Sequence, residues 1–176
     1  MEQYYRDVRI HPIHEGTTGI QGMDLLGLKV MMQDGRAFEL FLEEIKHTIE
    51  KAAGYDPLAA YAQKLSEACG FLKEVTNHLR SLSSAEGPEG FLADATVYLE
   101  FFANIAIAWQ WLNQMVAIQK KIQKKSSRSE TRFLKEKFHT FRHFFAYELP
   151  KIYGLGPRLM DSDRVPVAGG NATRIF

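Results

Sequence analysis

The chain has one cysteine, Cys69, in 176 residues, which excludes an internal disulfide framework and agrees with a reducing compartment. It also lacks charge of one sign. Twenty-two lysines and arginines face 21 aspartates and glutamates, and the net charge of +1 supplies no field to steer nucleic acid or an anionic membrane surface. Long hydrophobic runs are missing as well. The most apolar stretch, residues 101–109, is far short of the roughly 18 residues that a membrane span requires. Glu100, Asn104, Gln110 and Asn113 break it up. The opening residues, Met1-Glu2-Gln3-Tyr4-Tyr5-Arg6-Asp7, hold no basic stretch leading into an apolar one, so they do not read as a signal peptide. No run alternates with period two for long enough to make a strand. These absences predict a soluble, cytoplasmic, all-α chain whose partners include neither nucleic acid nor a membrane.

What is present is apolar and aromatic residues at helical spacing. Twelve phenylalanines, seven tyrosines and two tryptophans within an apolar content of 45% are ample for one core. Residues 2–10 read as the end of a helix, and Pro12 breaks it. Thr18 with Gln21 has the form of a capping box opening a helix over about 18–33, whose Ile20, Met23, Leu25, Leu26, Leu28 and Val30 cover most of its circumference. Asp34-Gly35 punctuates. The spacing then predicts a helix over 36–53 with Phe38, Phe41, Leu42, Ile45, Ile49 and Ala52 on one stripe. Gly54 closes it, and Asp56-Pro57 opens a third helix to about residue 82, with a near-heptad series from Leu58 to Leu82. Gly70, inside that helix, is expected to mark a close helix approach. A loop is expected over 83–90, then a long central helix over 90–124. Ser127 and Glu130 suggest a further capping box, opening a fifth helix over 128–153 that Pro150, near its end, should kink or shorten. Gly154-Leu155-Gly156-Pro157 is expected to end regular structure. Four amphipathic helices on short loops favour an antiparallel up-and-down bundle.

The stretch with most chemical content comes early: Tyr5-Arg6-Asp7-Val8-Arg9-Ile10-His11-Pro12-Ile13-His14-Glu15-Gly16-Thr17-Thr18-Gly19-Ile20-Gln21. It resembles the C-terminal motif of the acyl-CoA dehydrogenase family of flavoenzymes. The continuation Gly22-Met23-Asp24-Leu25-Leu26-Gly27, followed by a helical extension, is similar to a branch with an extra helical C-terminal domain. The resemblance implies that Glu15 corresponds to the base that removes the α-proton of an acyl thioester while the β-hydrogen leaves as hydride to FAD. A carboxylate suits that role when a dry pocket raises its pKa towards neutrality. It implies further that Gly16 lets the backbone pass close to the ligands, that Thr17 and Thr18 offer donors to FAD at a helix start, and that Gln21 lies near the adenosine half of the cofactor. Gly19 stands where many members have Glu or Gln, and Leu28 where the branch often has Arg.

On this reading residues 1–35 correspond to the end of the dehydrogenase's helical domain, 36–153 form a four-helix extension, and 154–176 are an irregular tail. The flavin-holding domains are expected to lie outside the chain, so the isolated polypeptide should neither retain FAD nor oxidise acyl-CoA. The apolar helix over 18–33 is expected to be covered by self-association. The rival reading is a free-standing helical interaction or oligomerisation module.

Other candidates have plainer explanations. His139 and His143 share a helix face, as metal ligands can, but no glutamate follows the first histidine and no third ligand is evident, so no metal site is expected. Lys120, Lys121, Lys124, Lys125, Arg128, Arg132, Lys135 and Lys137 form a basic hairpin end, diluted by Glu130 and Glu136 and without interleaved stacking aromatics. Asn171-Ala172-Thr173 matches a glycosylation acceptor that a cytoplasmic chain does not use.

Overall fold

The computed structural model describes residues 2–9, 17–85, 87–122, 128–161, 163 and 166. Among them are eight α-helices and no strand: α1 (Glu2–Val8), α2 (Thr18–Asp24), α3 (Arg36–Ala53), α4 (Asp56–Ala85), α5 (Gly87–Leu92), α6 (Ala95–Ile122), α7 (Arg128–His143) and α8 (Ile152–Met160). The all-α class holds.

Side-chain pairs fix the direction of each helix. Thr76 meets Tyr98, Phe71 meets Phe101, and Pro57 shares a pocket wall with Ile118, so α4 and α6 run antiparallel. Phe38 lies near Phe102 while Thr48 bonds Trp109, so α3 runs parallel to α6. Tyr61 packs against the rings of Phe138, Phe141 and Phe145, and Phe71 stacks with Tyr153, which places α7 and α8 parallel to α4. The order is up-down-up-down, with α6 against α2, α3, α4, α7 and α8 as the central helix.

The core follows the apolar spacing. Leu58, Leu65, Ala68, Leu72 and Val75 of α4 are fully buried, and so are Tyr98, Phe101, Ile105, Ala108 and Leu112 of α6. Two polar groups inside this core are satisfied. Thr76 and Tyr98 share a 2.8 Å hydrogen bond between their hydroxyls, and Trp109 Nε1 donates to Thr48 Oγ1 at 2.8 Å. An unpaired buried hydroxyl costs about 1–3 kcal/mol, so these pairs fix the register of α6 against α4 and α3.

Several expected boundaries shift, each for a physical reason. The helix opening near residue 18 is capped by Thr17, whose Oγ1 accepts from Ile20 N at 3.4 Å, rather than by a Thr18–Gln21 box. That helix is not one regular rod to residue 33. It widens to a π turn over Leu25–Lys29 and ends where Gln33, Asp34 and Gly35 all take positive φ (51°, 56° and 90°). Gly70 marks no close approach: a Cβ there would meet nothing within 4 Å. Residues 83–85 continue α4, and α5 occupies part of the expected loop, its Gly90 and Phe91 buried against the bundle. The fifth helix breaks well before Pro150. Its ring would collide with the carbonyl of Ala146, and the chain accommodates it by a π turn over Phe144–Glu148 and a 3-10 turn over Leu149–Lys151. Regular structure then resumes instead of ending. α8 contains Gly156 and Pro157, because Ile152 and Leu159 are fully buried and Gly156 seats against the Phe71 ring where a Cβ would overlap it. Burial outweighs the roughly 3 kcal/mol penalty of an interior proline. Ser127, Lys124, Lys125 and residues 171–173 lie outside the described residues.

Burial also sets an alkaline limit on this fold. It pushes the Cys69 thiol up to about 12, and it raises the Tyr98 hydroxyl more than the Thr76 hydrogen bond lowers it. In the unfolded chain these groups ionise from about pH 8.5 and 10 upward. Between the unfolded and folded values the native state binds more protons, so stability falls as pH rises. The contribution is intact below about pH 8.5 and disappears as pH climbs through about 12. The urea midpoint should therefore decline from about pH 9 to 11, with Cys69→Ala removing the earliest part of that decline. A flat midpoint over this range in the unsubstituted protein would contradict the burial argument.

Candidate functional site

The candidate site begins where the motif meets the bundle. Glu15 and Gly16 lie outside the described residues. Thr17 is extended (φ −65°, ψ 156°), and its carbonyl accepts from Gln21 N at 3.1 Å as its hydroxyl caps α2. Thr17, Thr18 and Gln21 are all exposed. Thr18 and Gln21 are three apart on the first turn and therefore neighbours on one side, and no side-chain partner is recorded for either among the described residues. Thr18 borders a shallow groove of about 350 Å³ whose other wall is α6, with Thr96, Val97 and Glu100. Gly19 leaves room: a Cβ there would stand 3.8 Å from Thr17 Oγ1, an ordinary contact. Leu28 points outward, 63% exposed.

What holds this turn in place is Gly22. It is buried, and a Cβ on it would stand 2.5 Å from the carbonyl oxygen of Ala95 and 2.7 Å from its carbon. The backbone of α2 thus lies directly on the first turn of α6. Leu26 and Val30 extend the seat into the core, and Gly27 adjoins Leu92. Burial of this helix does not depend on self-association alone. Its inner face is covered by α6 of the same chain, while Ile20, Met23, Leu28 and Met32 remain exposed on the other side.

The start of α6 is itself braced. Asp94, only 7% exposed, receives Arg158 Nη2 at 3.1 Å, and Arg158 also reaches the carbonyl of Asp163. The end of α8 is thereby fastened beside the seat of α2. Nothing local in sequence signals this pair, since the two residues are 64 positions apart.

Gly22→Ala tests the seat. Alanine gains about 0.8–1 kcal/mol of helix propensity over glycine, whereas overpacking against an immovable neighbour costs about 1–3 kcal/mol. The neighbour is backbone and cannot rotate away, so the expected net loss is on the order of 1 kcal/mol, with lost hydrogen-exchange protection concentrated in α2. Gly70→Ala, which meets nothing, should instead gain up to about 1 kcal/mol. Equal outcomes for the two variants would remove the case for a tight seat.

With this geometry in view, comparison with known proteins gives a clear result. The family described as acetyl-CoA dehydrogenase C-terminal like matches residues 41–168, most of the chain. The chain belongs to that family. Two acyl-CoA dehydrogenases are similar to it. The 3-methylmercaptopropionyl-CoA dehydrogenase of Ruegeria pomeroyi is 38% identical over 109 residues, covering 61% of this chain and 18% of that protein. The broad-specificity linear acyl-CoA dehydrogenase FadE5 of Mycobacterium tuberculosis is 31% identical over 83 residues, covering 45% of this chain and 14% of that protein. The matched stretch is thus less than a fifth of either relative.

The family match begins within α3, downstream of Thr17, Thr18 and Gln21. It identifies the bundle; the motif rests on its own residues. Among the described residues no three histidines, cysteines or acids gather as metal ligands, and no helix is long and apolar enough to cross a membrane.

Proposed function

We propose that this chain furnishes an acyl-CoA dehydrogenase with its helical C-terminal part, and that the loop ahead of α2 supplies the base. The observation that carries this reading is the seat of α2 on α6. The segment leading directly from Glu15-Gly16-Thr17-Thr18 is packed, through Gly22, onto the bundle of the acetyl-CoA dehydrogenase C-terminal-like family. Both similar proteins are acyl-CoA dehydrogenases by name. Motif and bundle are therefore consistent with one functional unit.

In this reading the Glu15 carboxylate takes the α-proton of an acyl-CoA thioester. The electron pair left on the α-carbon forms the α,β double bond as the β-hydrogen departs with its own pair, giving a 2-enoyl thioester. The acceptor for that hydride would be supplied by FAD, towards which Thr18 and Gln21 would offer donors. The residues at the start of α2 suit such a group: Thr18 and Gln21 present unengaged hydroxyl and amide donors at a helix start, where exposed N–H groups favour an anionic or electron-rich oxygen. Thr17 positions the turn by capping it. Gly16 keeps the part that the motif's resemblance gives it, a small residue beside the ligands. The exposed apolar residues Ile20, Met23, Leu28 and Met32 are where the flavin-holding part of the assembly, or a second copy, packs.

The test is reconstitution. The 176-residue polypeptide is mixed with a polypeptide carrying the flavin-binding and N-terminal domains of such an enzyme, and acyl-CoA-dependent dye reduction is followed. Activity in the mixture and none in either part alone is the expected result. Complex formation without dye reduction for any acyl-CoA would favour the interaction-module reading instead.

A further inference from the structure

In four places on this surface an arginine is matched by a carboxylate. Arg6 lies 2.7 Å from Glu2, Arg36 3.2 Å from Glu43, Arg132 3.1 Å from Glu136, and Arg158 3.1 Å from Asp94. One cleft departs from that pattern. Between α4 and the end of α7, Lys64, His139, Arg142 and His143 line a cleft of about 320 Å³ together with Tyr61 and Tyr147. No carboxylate lines it. None of the four basic groups has an ion pair or side-chain hydrogen bond recorded among the described residues. The acids closest in sequence are already engaged: Glu67 accepts from Gln63 Nε2 at 2.9 Å, Glu136 from Arg132 Nε at 3.1 Å, and Glu148 from Lys151 Nζ at 2.5 Å.

The shape of the cleft comes from the π turn after α7. Its extra residue per turn carries Ala146 and Tyr147 to the rim, and π turns of this kind recur at functional sites. Tyr147 lies over the His143 ring, centroids 4.6 Å apart and planes 25° apart, and presents a flat outer surface, being 67% exposed. Beneath, Tyr61 is held by Phe141 and Phe145, so the floor is rigid. Fifteen residues of α4 separate Tyr61 from Thr76, roughly 22 Å along the helix, which sets the cleft well apart from the seat of α2.

We propose that this cleft binds an organic phosphate. The phosphate sits between Arg142, whose planar guanidinium matches two phosphate oxygens at once, and Lys64, a mobile point charge. His139 and His143 add ring N–H donors. A planar ring on the ligand packs against Tyr147. This site is independent of the role assigned to Glu15.

The proposal is tested by titrating the 15N-labelled chain with inorganic phosphate, ribose 5-phosphate and AMP, and following amide shifts. Saturable shifts confined to residues around Lys64, Arg142 and Tyr147 are expected with all three, with AMP binding most tightly. Charge-assisted hydrogen bonds of about 1.5–3 kcal/mol predict a loss of at least about tenfold in affinity for Arg142→Ala, and a comparable loss for Lys64→Ala. Tyr147→Ala should abolish only the advantage of AMP. Lys120→Ala/Lys121→Ala, at the other basic surface, should leave affinity unchanged. The proposal is overturned if none of the three ligands gives saturable shifts at millimolar concentration, or if the Lys120/Lys121 variant loses as much affinity as Arg142→Ala. AMP binding no tighter than inorganic phosphate overturns the part assigned to Tyr147.

Discussion

Glu15→Gln in the reconstituted dehydrogenase is expected to lower kcat by about 10²- to 10⁴-fold, the range supplied by a positioned general base. Glutamine keeps the shape and hydrogen-bonding reach of the side chain but cannot hold a proton taken from carbon. The loss should therefore fall on kcat, with the Kd for acyl-CoA little changed. Thermal unfolding of the isolated chain should also be little affected. Thr17→Ala makes the informative contrast: it removes the cap of α2 and should cost about 1 kcal/mol of stability with a far smaller effect on kcat. A Glu15→Gln enzyme that keeps most of its turnover would refute the assignment of the base.

Phe141→Ala carries the largest expected effect on stability. The side chain is fully buried and its ring contacts Tyr61 at 4.6 Å, Phe145 at 4.8 Å and Phe138 at 5.7 Å between centroids. It is the centre of the aromatic group that fastens α7 to α4. Truncation removes the transfer energy of the ring and leaves a cavity among side chains that are themselves wedged, for a cost of about 3–5 kcal/mol. Domains of this size are stable by only about 5–15 kcal/mol, so the variant should populate a partly unfolded state in mild urea. Phe133→Ala on the same helix should change stability by no more than about 0.5 kcal/mol, since that ring is 48% exposed. A loss below about 1 kcal/mol for Phe141→Ala would mean that α7 packs less firmly than this geometry requires.

Much of this architecture was legible in residue order because apolar periodicity decides where a helix lies. The span of α3 is the one its spacing predicts, bounded by Gly35 and Gly54, and the buried series of α4 is the heptad-like one read from Leu58 onward. What could not be read is where tertiary contact overrides local preference. Gly154, Gly156 and Pro157 look like a helix end by propensity, yet Phe71, some 85 positions away, supplies the surface that makes a helix there favourable. Gly70 and Gly22 are equally plain as sequence; only the nearness of Ala95 makes one of them a seat. Two adjacent threonines could each cap α2, and the capping-box rule selected the wrong one. At the candidate site, Thr17, Thr18 and Gln21 gather on one turn as their spacing requires, while the brace from Arg158 to Asp94 and the cleft around Arg142 depend on residues brought together by the fold.

The up-down-up-down order also bears on how quickly the chain reaches its structure. α3 packs most extensively on α4 and α4 on α6, and α3 and α4 are joined through Gly54 and Tyr55 alone, so the entropy lost in closing that first hairpin is small. Bundles with such local contacts refold in microseconds to milliseconds. The main phase of a stopped-flow refolding experiment should accordingly fall within milliseconds. The clasp between Arg158 and Asp94 joins α8 to the turn that opens α6, 64 positions earlier in the chain. It can form only after the intervening turns are in place, which makes it a late event, and Arg158→Ala should speed unfolding while leaving the refolding rate nearly unchanged.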